Sequence, residues 1–319
     1  MAHNRLDERL IERCEDIPAN PEPGAYVVID TMHFSNTVIE LLARGAAHVH
    51  VPEERGEEFD YRAAHPDALI GGGRTAEYDP EDGYDFFNSP SYVEDIDVEG
   101  RPVSMTSTNG GRTVMTLRER GGEDVDVFVG APLNARAIGR FLRRTDHPVH
   151  LVCAGYQGEI AIEDHVGAAL ISRYLDGMPP AETEIELFRD QLETAKGPDY
   201  VRKNAIRRRD VRAYAMNVNG REMIPELSGD SLVRARAPLD RLPGSEDWQT
   251  EQSATRETHR SPVEDVHENP VYISTLLPEV LKRTRRRVVI PGRSELGLPG
   301  LEALADIDRV VDVAHHGFQ

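Results

Sequence analysis

The sequence predicts an α/β protein: a three-layer α/β/α arrangement with a mostly parallel central sheet, followed by a carboxyl-terminal extension. Two observations carry this. From Gly24 to about Asp176 short β-branched runs alternate with segments whose apolar residues recur at helical spacing, the order of a sheet covered by helices. Three of those runs, 25–29, 125–129 and 149–153, are nearly unbroken apolar stretches, as parallel strands buried on both faces require.

Taken in order, the strands are expected at 25–29, 48–51, 102–107, 125–129 and 149–153. Helices are expected at 37–44, 113–120, 135–144 and 163–175, each with an apolar stripe. After Gly177 the segments 179–196 and 200–209 read as charged amphipathic helices. Segments 210–218 and 221–227 read as a hairpin, because Asn219-Gly220 between them is a strong two-residue turn signal. From 234 to 269 the chain is polar and without apolar periodicity, a linker or an excursion over the surface. Beyond it 271–283 can form a helix interrupted by Pro278, 287–290 a short strand and 298–313 a further helix. The division is therefore an α/β domain over 1–233, a polar stretch over 234–269 and an extension over 270–319, with no internal repeat.

The chain has 319 residues, with 56 acidic against 37 basic side chains, a formal net charge of −19, 39% hydrophobic and 6% aromatic residues. Lys196, Lys203 and Lys282 are its only lysines, so 34 of the 37 basic residues are arginine. Carboxylates keep a surface hydrated while salt screens their repulsion, so a highly acidic, lysine-poor chain reads as a halophile's protein. An ordinary acidic enzyme with arginine-rich codon usage is the alternative. Either way the charge argues against general binding to DNA, RNA or anionic membranes, which need a cationic face. No apolar run reaches the roughly 18 residues of a membrane span, and the start lacks the apolar core of a signal peptide. A cytoplasmic location is the expectation. Cys14 and Cys153 are too few for a disulfide framework or a cysteine-based zinc site. A homo-oligomer is compatible with the sequence, but no feature specifies one.

In open α/β sheets ligands bind outside the carboxyl ends of the strands, and small polar residues gather at those ends here. Asp30, His33, Ser35 and Asn36 follow the first strand, and Thr108-Asn109-Gly110-Gly111 follows the third. Gly130 and then Asn134 follow the fourth, and Ala154-Gly155 with Glu163-Asp164 the fifth. Asp30 can ligate Mg²⁺ through a hard oxygen or can cap the next helix. Thr-Asn-Gly-Gly opening a helix is either an anion site of free N–H groups or a plain tight turn. Asn134 is as readily an N-cap, and Glu163 and Asp164 as readily first-turn acids favoured by the helix dipole. Their joint occurrence on one sheet edge is what points to a site.

The same segments resemble a known family. In order they are Asp30-Thr31-Met32-His33, Gly71-Gly72-Gly73-Arg74, Gly83-Tyr84-Asp85-Phe86-Phe87-Asn88-Ser89-Pro90, Thr106-Ser107-Thr108-Asn109-Gly110, Gly130-Ala131-Pro132-Leu133-Asn134-Ala135 and Val152-Cys153-Ala154-Gly155 with Glu163-Asp164. Their order and spacing resemble the 2-phosphosulfolactate phosphatase family over about residues 24–230, the strand at 221–227 resembling the family's closing segment. The resemblance implies an α/β/α fold and Mg²⁺-dependent hydrolysis of 2-phospho-3-sulfolactate, a small anionic phosphoester, to sulfolactate and phosphate. It implies that Asp30, with Glu163 or Asp164, holds Mg²⁺, and that Thr108, Asn109 and Gly110 cradle phosphate. Mg²⁺ would polarise the phosphoryl oxygen, so no covalent serine or cysteine is required. Further substrate contacts implied at this edge are Ser35, Asn88, Ser89, Asn134 and Gly155.

Three positions depart from the family pattern. Its first motif usually reads Asp-Val-Leu/Phe-Arg-Ala-Thr, so His33 stands where an anion-binding arginine is expected, with a weaker and mostly neutral side chain. Phe87-Asn88-Ser89-Pro90 replaces Gly-Asn-Ser-Pro, and Thr108-Asn109-Gly110-Gly111 replaces Thr-Asn-Gly-Thr. Arg74 and Arg112, each after a glycine-rich segment, can restore the missing charge or be surface arginines. Cys153 ends an apolar strand and reads as a buried small side chain, and His165 as either an acid/base candidate or a solvated helix residue. Asp312, His315 and His316 near the end are ligand-type residues, more simply read as a tail. The reading is thus a Mg²⁺-dependent phosphatase of a small anionic phosphoester. Its rivals are a related metal-dependent hydrolase with another substrate and a non-catalytic anion-binding protein on the same fold.

Overall fold

A computed structural model of the chain describes residues 5–145, 147–197 and 199–235. Its ten strands are β1 (Leu10–Ile11), β2 (Gly24–Ile29), β3 (His48–His50), β4 (Leu69–Gly72), β5 (Phe86–Phe87), β6 (Pro102–Met105), β7 (Val125–Gly130), β8 (Val149–Cys153), β9 (Pro225–Ser228) and β10 (Ser231–Arg234). The helices are α1 (Arg5–Arg9), α2 (Phe34–Ala43), α3 (Glu57–Ala64), α4 (Pro90–Val93), α5 (Gly110–Gly121), α6 (Ala135–Leu142), α7 (Ile162–Leu175), α8 (Glu182–Thr194), α9 (Tyr200–Lys203) and α10 (Ala205–Arg209).

All ten strands join one sheet in the order β1-β8-β2-β7-β9-β10-β3-β6-β4-β5. Six of the nine neighbouring pairs are parallel and three, β7·β9, β9·β10 and β10·β3, antiparallel. The α/β class with a mostly parallel sheet is therefore correct. An odd number of antiparallel joints also means that the two parallel blocks, β1-β8-β2-β7 and β3-β6-β4-β5, run in opposite directions. The simple expectation of strand ends sharing one edge of a single parallel sheet is corrected accordingly.

β2 is buried at every residue because both its faces are covered. Tyr26 and Val28 belong to the same apolar cluster as Phe34, Val38, Val114 and Leu117 of α2 and α5. Val27 and Ile29 face the other way, toward Ile138 of α6, Ile171 and Gly167 of α7. Helix α2 lies across the junction of the blocks, in contact with β3, β7, β9, β10, α4 and α5, and Phe34 to Leu42 are all buried. Its amino end, not the end of any one strand, is the place where the two blocks meet.

The strands expected at 25–29, 48–51, 102–107, 125–129 and 149–153 all form, with ends shifted by up to two residues, and so do the four helices between them. Four strands, β1, β4, β5 and β10, were not anticipated. β4 is half glycine, and the reason is packing: a Cβ on Gly71 would sit 2.3 Å from the Phe86 ring and one on Gly72 2.3 Å from the Tyr84 ring.

The expected hairpin over 210–218 and 221–227 is wrong in its first arm and displaced in its second. Asp210–Ala215 winds into a π-helical turn whose buried residues, Asp210, Val211, Tyr214 and Ala215, recur at helical and not alternating spacing. Asn219 does adopt a left-handed φ of 63°. Its turn is fastened to another element, however: Asn219 N–H donates to Pro132 O at 2.9 Å, and its Oδ1 accepts from Arg136 N–H at 2.8 Å. The actual hairpin is β9–β10, closed by the two residues Gly229 (φ 66°) and Asp230, with glycine at the position that needs positive φ. The polar stretch expected at 234–269 begins inside β10, which runs to Arg234, and the rest of it from 236 onward, the elements expected at 271–283, 287–290 and 298–313, and Asp312, His315 and His316 lie outside the described residues. Among the described residues no helix is long and apolar enough to cross a membrane.

Candidate active site

Asp30 is the first residue after β2, and Gly110 opens α5 after β6 of the opposed block. They meet directly: Gly110 N–H donates to Asp30 Oδ2 at 2.9 Å. Only glycine allows this approach, since a Cβ on residue 110 would lie 2.4 Å from Phe34 Cδ1 and 2.8 Å from Asp30 Oδ2. The N–H expected to serve phosphate therefore holds a carboxylate. Thr108 is exposed beside it and Asn109 half-buried, its side chain making no cap to the helix it precedes.

Glu163 and Asp164 open α7 and are both buried, 3% and 1% exposed. Asp164 is a fastener between strand ends: Oδ1 accepts from Thr31 N–H at 2.8 Å and Oδ2 from Gly155 N–H at 3.1 Å. Gly155 takes φ 72°, which suits glycine and aims its N–H inward. Glu163 is paired with the Lys196 ammonium, which also lies 4.5 Å from the centre of the Tyr156 ring. Three carboxylates thus face one ammonium. Burial, opposed by the Gly110 N–H and Lys196 and assisted by Glu163, pushes Asp30 up to about 6. Burial and then the Glu163 and Asp30 charges push Asp164 well above the usual carboxylate range.

His33 lies on the other side of Asp30. Its Nε2 is 2.7 Å from the Tyr200 hydroxyl, and its Nδ1 is 3.9 Å from Asp210 Oδ2 and has no hydrogen-bond partner. Burial, followed by the cations of Lys196, Arg207 and Arg74, pushes His33 down to about 3, so the imidazole is neutral at pH 7. Asp210 is buried at 1% exposure and accepts from Ser89 Oγ at 2.8 and 2.9 Å and from Ser91 N–H at 3.0 Å. Burial outweighs those donors and pushes Asp210 up to about 6. Beyond His33 the Arg74 guanidinium lies 4.0 Å from the Tyr78 ring centre, and that of Arg207 5.0 Å from Tyr78 and 4.7 Å from Tyr200.

The structure gathers Asp30, His33, Gly110, Glu163, Asp164, Gly155 and Arg74 around the amino end of α2. Other expected residues are spent on the fold. Ser35 Oγ accepts from Asp30 N–H at 2.9 Å and donates to Val28 O. Asn134 is fully buried, its Oδ1 accepting from Ala131 N–H at 2.9 Å and its Nδ2 donating to Met223 O at 2.9 Å, so it is a fastener and not a substrate contact. Ser89 caps α4 and binds Asp210. Asn88 Oδ1 is buried with no partner. Arg112 is drawn away to Glu15 at 2.6 Å. Cys153 is buried, and its thiol is held protonated by burial and the nearby acids. His165 is half-buried and its Nε2 has no partner.

Lys196, Tyr200, Arg207 and Asp210 escaped the sequence reading, the first three because they fall in stretches that read as charged, solvated helix and Asp210 because it opens the expected hairpin arm. The one available signal was compositional: a lysine kept where the chain otherwise uses arginine. Among the described residues no group of three or more His, Cys, Asp and Glu side chains is placed to hold a metal ion.

Comparison with known proteins places these features. The sequence profile of the family described as 2-phosphosulpholactate phosphatase matches residues 11–202. A probable 2-phosphosulfolactate phosphatase of Symbiobacterium thermophilum is 38% identical over 161 residues, 49% of this chain and 66% of the relative. One from Deinococcus radiodurans is 32% identical over 168 residues, 51% of this chain and 66% of the relative. One from Thermotoga petrophila is 28% identical over 186 residues, 56% of this chain and 78% of the relative. In the first two the matched stretch falls just short of two thirds of the relative's length. With three fifths of its length matched by the family profile, the chain belongs to the 2-phosphosulpholactate phosphatase family.

Proposed function

We propose that this chain is a Mg²⁺-dependent phosphatase that hydrolyses 2-phospho-3-sulfolactate. The observation that carries the reading is the division of charge around His33: Asp30, Glu163 and Asp164 on one side, arginine guanidiniums on the other. A phosphoester with further acidic groups can span such a site, its phosphoryl end toward the acids and its remaining charge toward the arginines.

Mg²⁺ keeps several waters and takes one or two protein carboxylates, so a closed cage is not needed. The donor set fits. Asp30 and Glu163 are hard oxygen donors, and three carboxylates against one ammonium leave a negative excess that a divalent cation would balance. When bound, Mg²⁺ polarises the phosphoryl oxygen and neutralises developing charge.

The residues of the chain supply the rest. Gly110 N–H orients the Asp30 carboxylate, and Asp164, through Thr31 and Gly155, fixes the loops on either side of it. With its ionisation centred at about 6 in the absence of a cation, Asp30 is ionised at neutral pH and offers a carboxylate that would hold the cation and orient its water. Neutral His33 adds no charge of its own and fixes the Tyr200 hydroxyl at 2.7 Å. Asn109, whose side chain is not spent on capping α5, would donate to the phosphoryl oxygens.

The test is phosphate release from a panel of small phosphoesters, including 2-phosphosulfolactate and phospholactate, in molar KCl with Mg²⁺ and then with EDTA. Mg²⁺-dependent release from the sulfonated ester, lost in folded Asp30→Asn and Asn109→Ala variants, is the expected result. Release only from another ester would discard the substrate. Silence across the panel would favour an anion-binding protein on this fold.

A further inference from the structure

Two arginines beside the site lack the acidic partners that this chain provides freely. Among the described residues Arg74 and Arg207 take part in no ion pair with a carboxylate; Arg112, Arg136, Arg173, Arg189, Arg212 and Arg221 do, and others without one, such as Arg101 and Arg120, donate to backbone carbonyls. Both are half-buried. What holds them is Tyr78, with Arg74 4.0 Å and Arg207 5.0 Å from its ring centre, and Tyr200, with Arg207 at 4.7 Å. Arg74 also donates to Thr75 O at 3.0 Å, which fixes one side of its guanidinium and leaves the other donors to be met.

Tyr78 itself has a φ of 72°, one of three non-glycine residues with positive φ among those described. For a bulky aromatic this is a strained conformation, of the kind that survives where surrounding structure demands it and that clusters at ligand clamps. It places one ring against two guanidiniums, and burial, followed by the Arg74 charge, lowers the affinity of Arg207 for its proton. Two like charges held together by a strained ring, in a protein of net charge −19, call for an anion between them.

We propose that Arg74, Tyr78 and Arg207 form a clamp for the second, non-transferred acidic group of the substrate, with Arg207 the residue that determines specificity. The clamp rests on the phosphatase reading and deepens it. It supplies, from α10 and from the loop after β4, the fixed charge that His33 does not. A sulfonate and a carboxylate share the chemistry the clamp recognises: a compact oxyanion that accepts from a guanidinium fork. Of the two we assign the sulfonate, whose three oxygens can accept from two guanidiniums at once where a carboxylate has only two.

The experiment compares wild type, Arg207→Gln and Arg207→Lys on three esters: 2-phosphosulfolactate, phospholactate and ethyl phosphate, which has no second acid. Circular dichroism and Tm establish that each variant is folded. For Arg207→Gln we expect kcat/KM to fall about 10- to 100-fold on phosphosulfolactate, mostly in KM, with less than about threefold change on the other two. Arg207→Lys should recover part of the loss, since it keeps the charge and loses the planar fork. An equal loss on phosphosulfolactate and phospholactate would overturn the sulfonate assignment, and an equal loss on all three would overturn the clamp. Calorimetric titration with sulfolactate separates this from the catalytic reading. Binding to wild type that weakens at least tenfold in Arg207→Gln supports the clamp even without turnover. Turnover with binding indifferent to Arg207 refutes the clamp alone, and absence of both binding and turnover refutes both.

Discussion

Replacing Asp30 by asparagine is expected to make the protein more stable while abolishing turnover. In the folded chain burial moves the Asp30 carboxyl from its ordinary 3.8 to about 6. At about 1.4 kcal/mol per tenfold, holding it ionised costs about 3 kcal/mol at neutral pH. Asparagine keeps an oxygen for the Gly110 N–H but exchanges a charged acceptor for a neutral one, which gives back about 1 kcal/mol. The net gain expected above pH 7 is about 2 kcal/mol. Its pH dependence has a definite sign. A carboxyl whose folded value is raised holds its proton longer in the folded state, so the wild type has no penalty below about 4 and acquires it as pH rises through about 6. The advantage of Asp30→Asn should therefore be constant above about pH 7 and shrink between about pH 6 and pH 4. The assay is urea denaturation in molar KCl with EDTA, so that no cation balances the carboxylate, at pH 8, 6 and 5, with phosphate release measured in parallel. A variant no more stable than wild type at pH 8, or one whose gain is the same at pH 5 as at pH 8, would refute the argument.

Three further outcomes follow from the same geometry. Asn134→Ala strands the Ala131 N–H and the Met223 carbonyl in a fully buried place and should cost about 2–4 kcal/mol in chemical denaturation, with KM unchanged while the fold persists. A raised KM would instead return Asn134 to the substrate. Cys153→Ala should keep full turnover and lose at most about 2 kcal/mol, because the thiol is buried and held protonated; loss of turnover in the folded variant would mark it as a reacting group. With a net charge of −19 the Tm should fall as KCl is removed, and a flat Tm from low to molar salt would contradict the halophilic reading.

The parts of the fold that sequence reveals are those where burial on two faces writes an unbroken apolar run. β2, β7 and β8 are of this kind, and their positions were readable to within a residue. β4 and β5 were not, because their burial depends on Gly71 and Gly72 yielding space to Phe86 and Tyr84, a long-range fit with no local pattern. The Asn219-Gly220 turn misled for a related reason: a left-handed asparagine ends a helical turn as well as it joins two strands, and the choice was made by its contacts with Pro132 and Arg136. In the site, Asp30, Glu163, Asp164 and Gly110 stood out because they sit at strand ends and helix starts. Lys196, Arg207 and Asp210 come from helices and loops that look solvated in sequence and gain their meaning only by packing against His33 and Glu163. Asn134 shows the converse, a motif residue whose chemistry is wholly internal.

The opposed blocks of the sheet also bear on how the chain comes to be made. Its two halves are joined through β9 and β10, which are the last described strands to leave the ribosome and lie beyond the 11–202 stretch matched by the family profile. Until residue 234 emerges, β7 and β3 each present an open strand edge, the kind of surface that pairs with other chains. Synthesis thus passes through an interval in which nearly every site residue exists but no strand pairing joins the halves of the sheet, and self-association competes with closure. Protein expressed only to residue 202 should enter inclusion bodies where the longer chain does not.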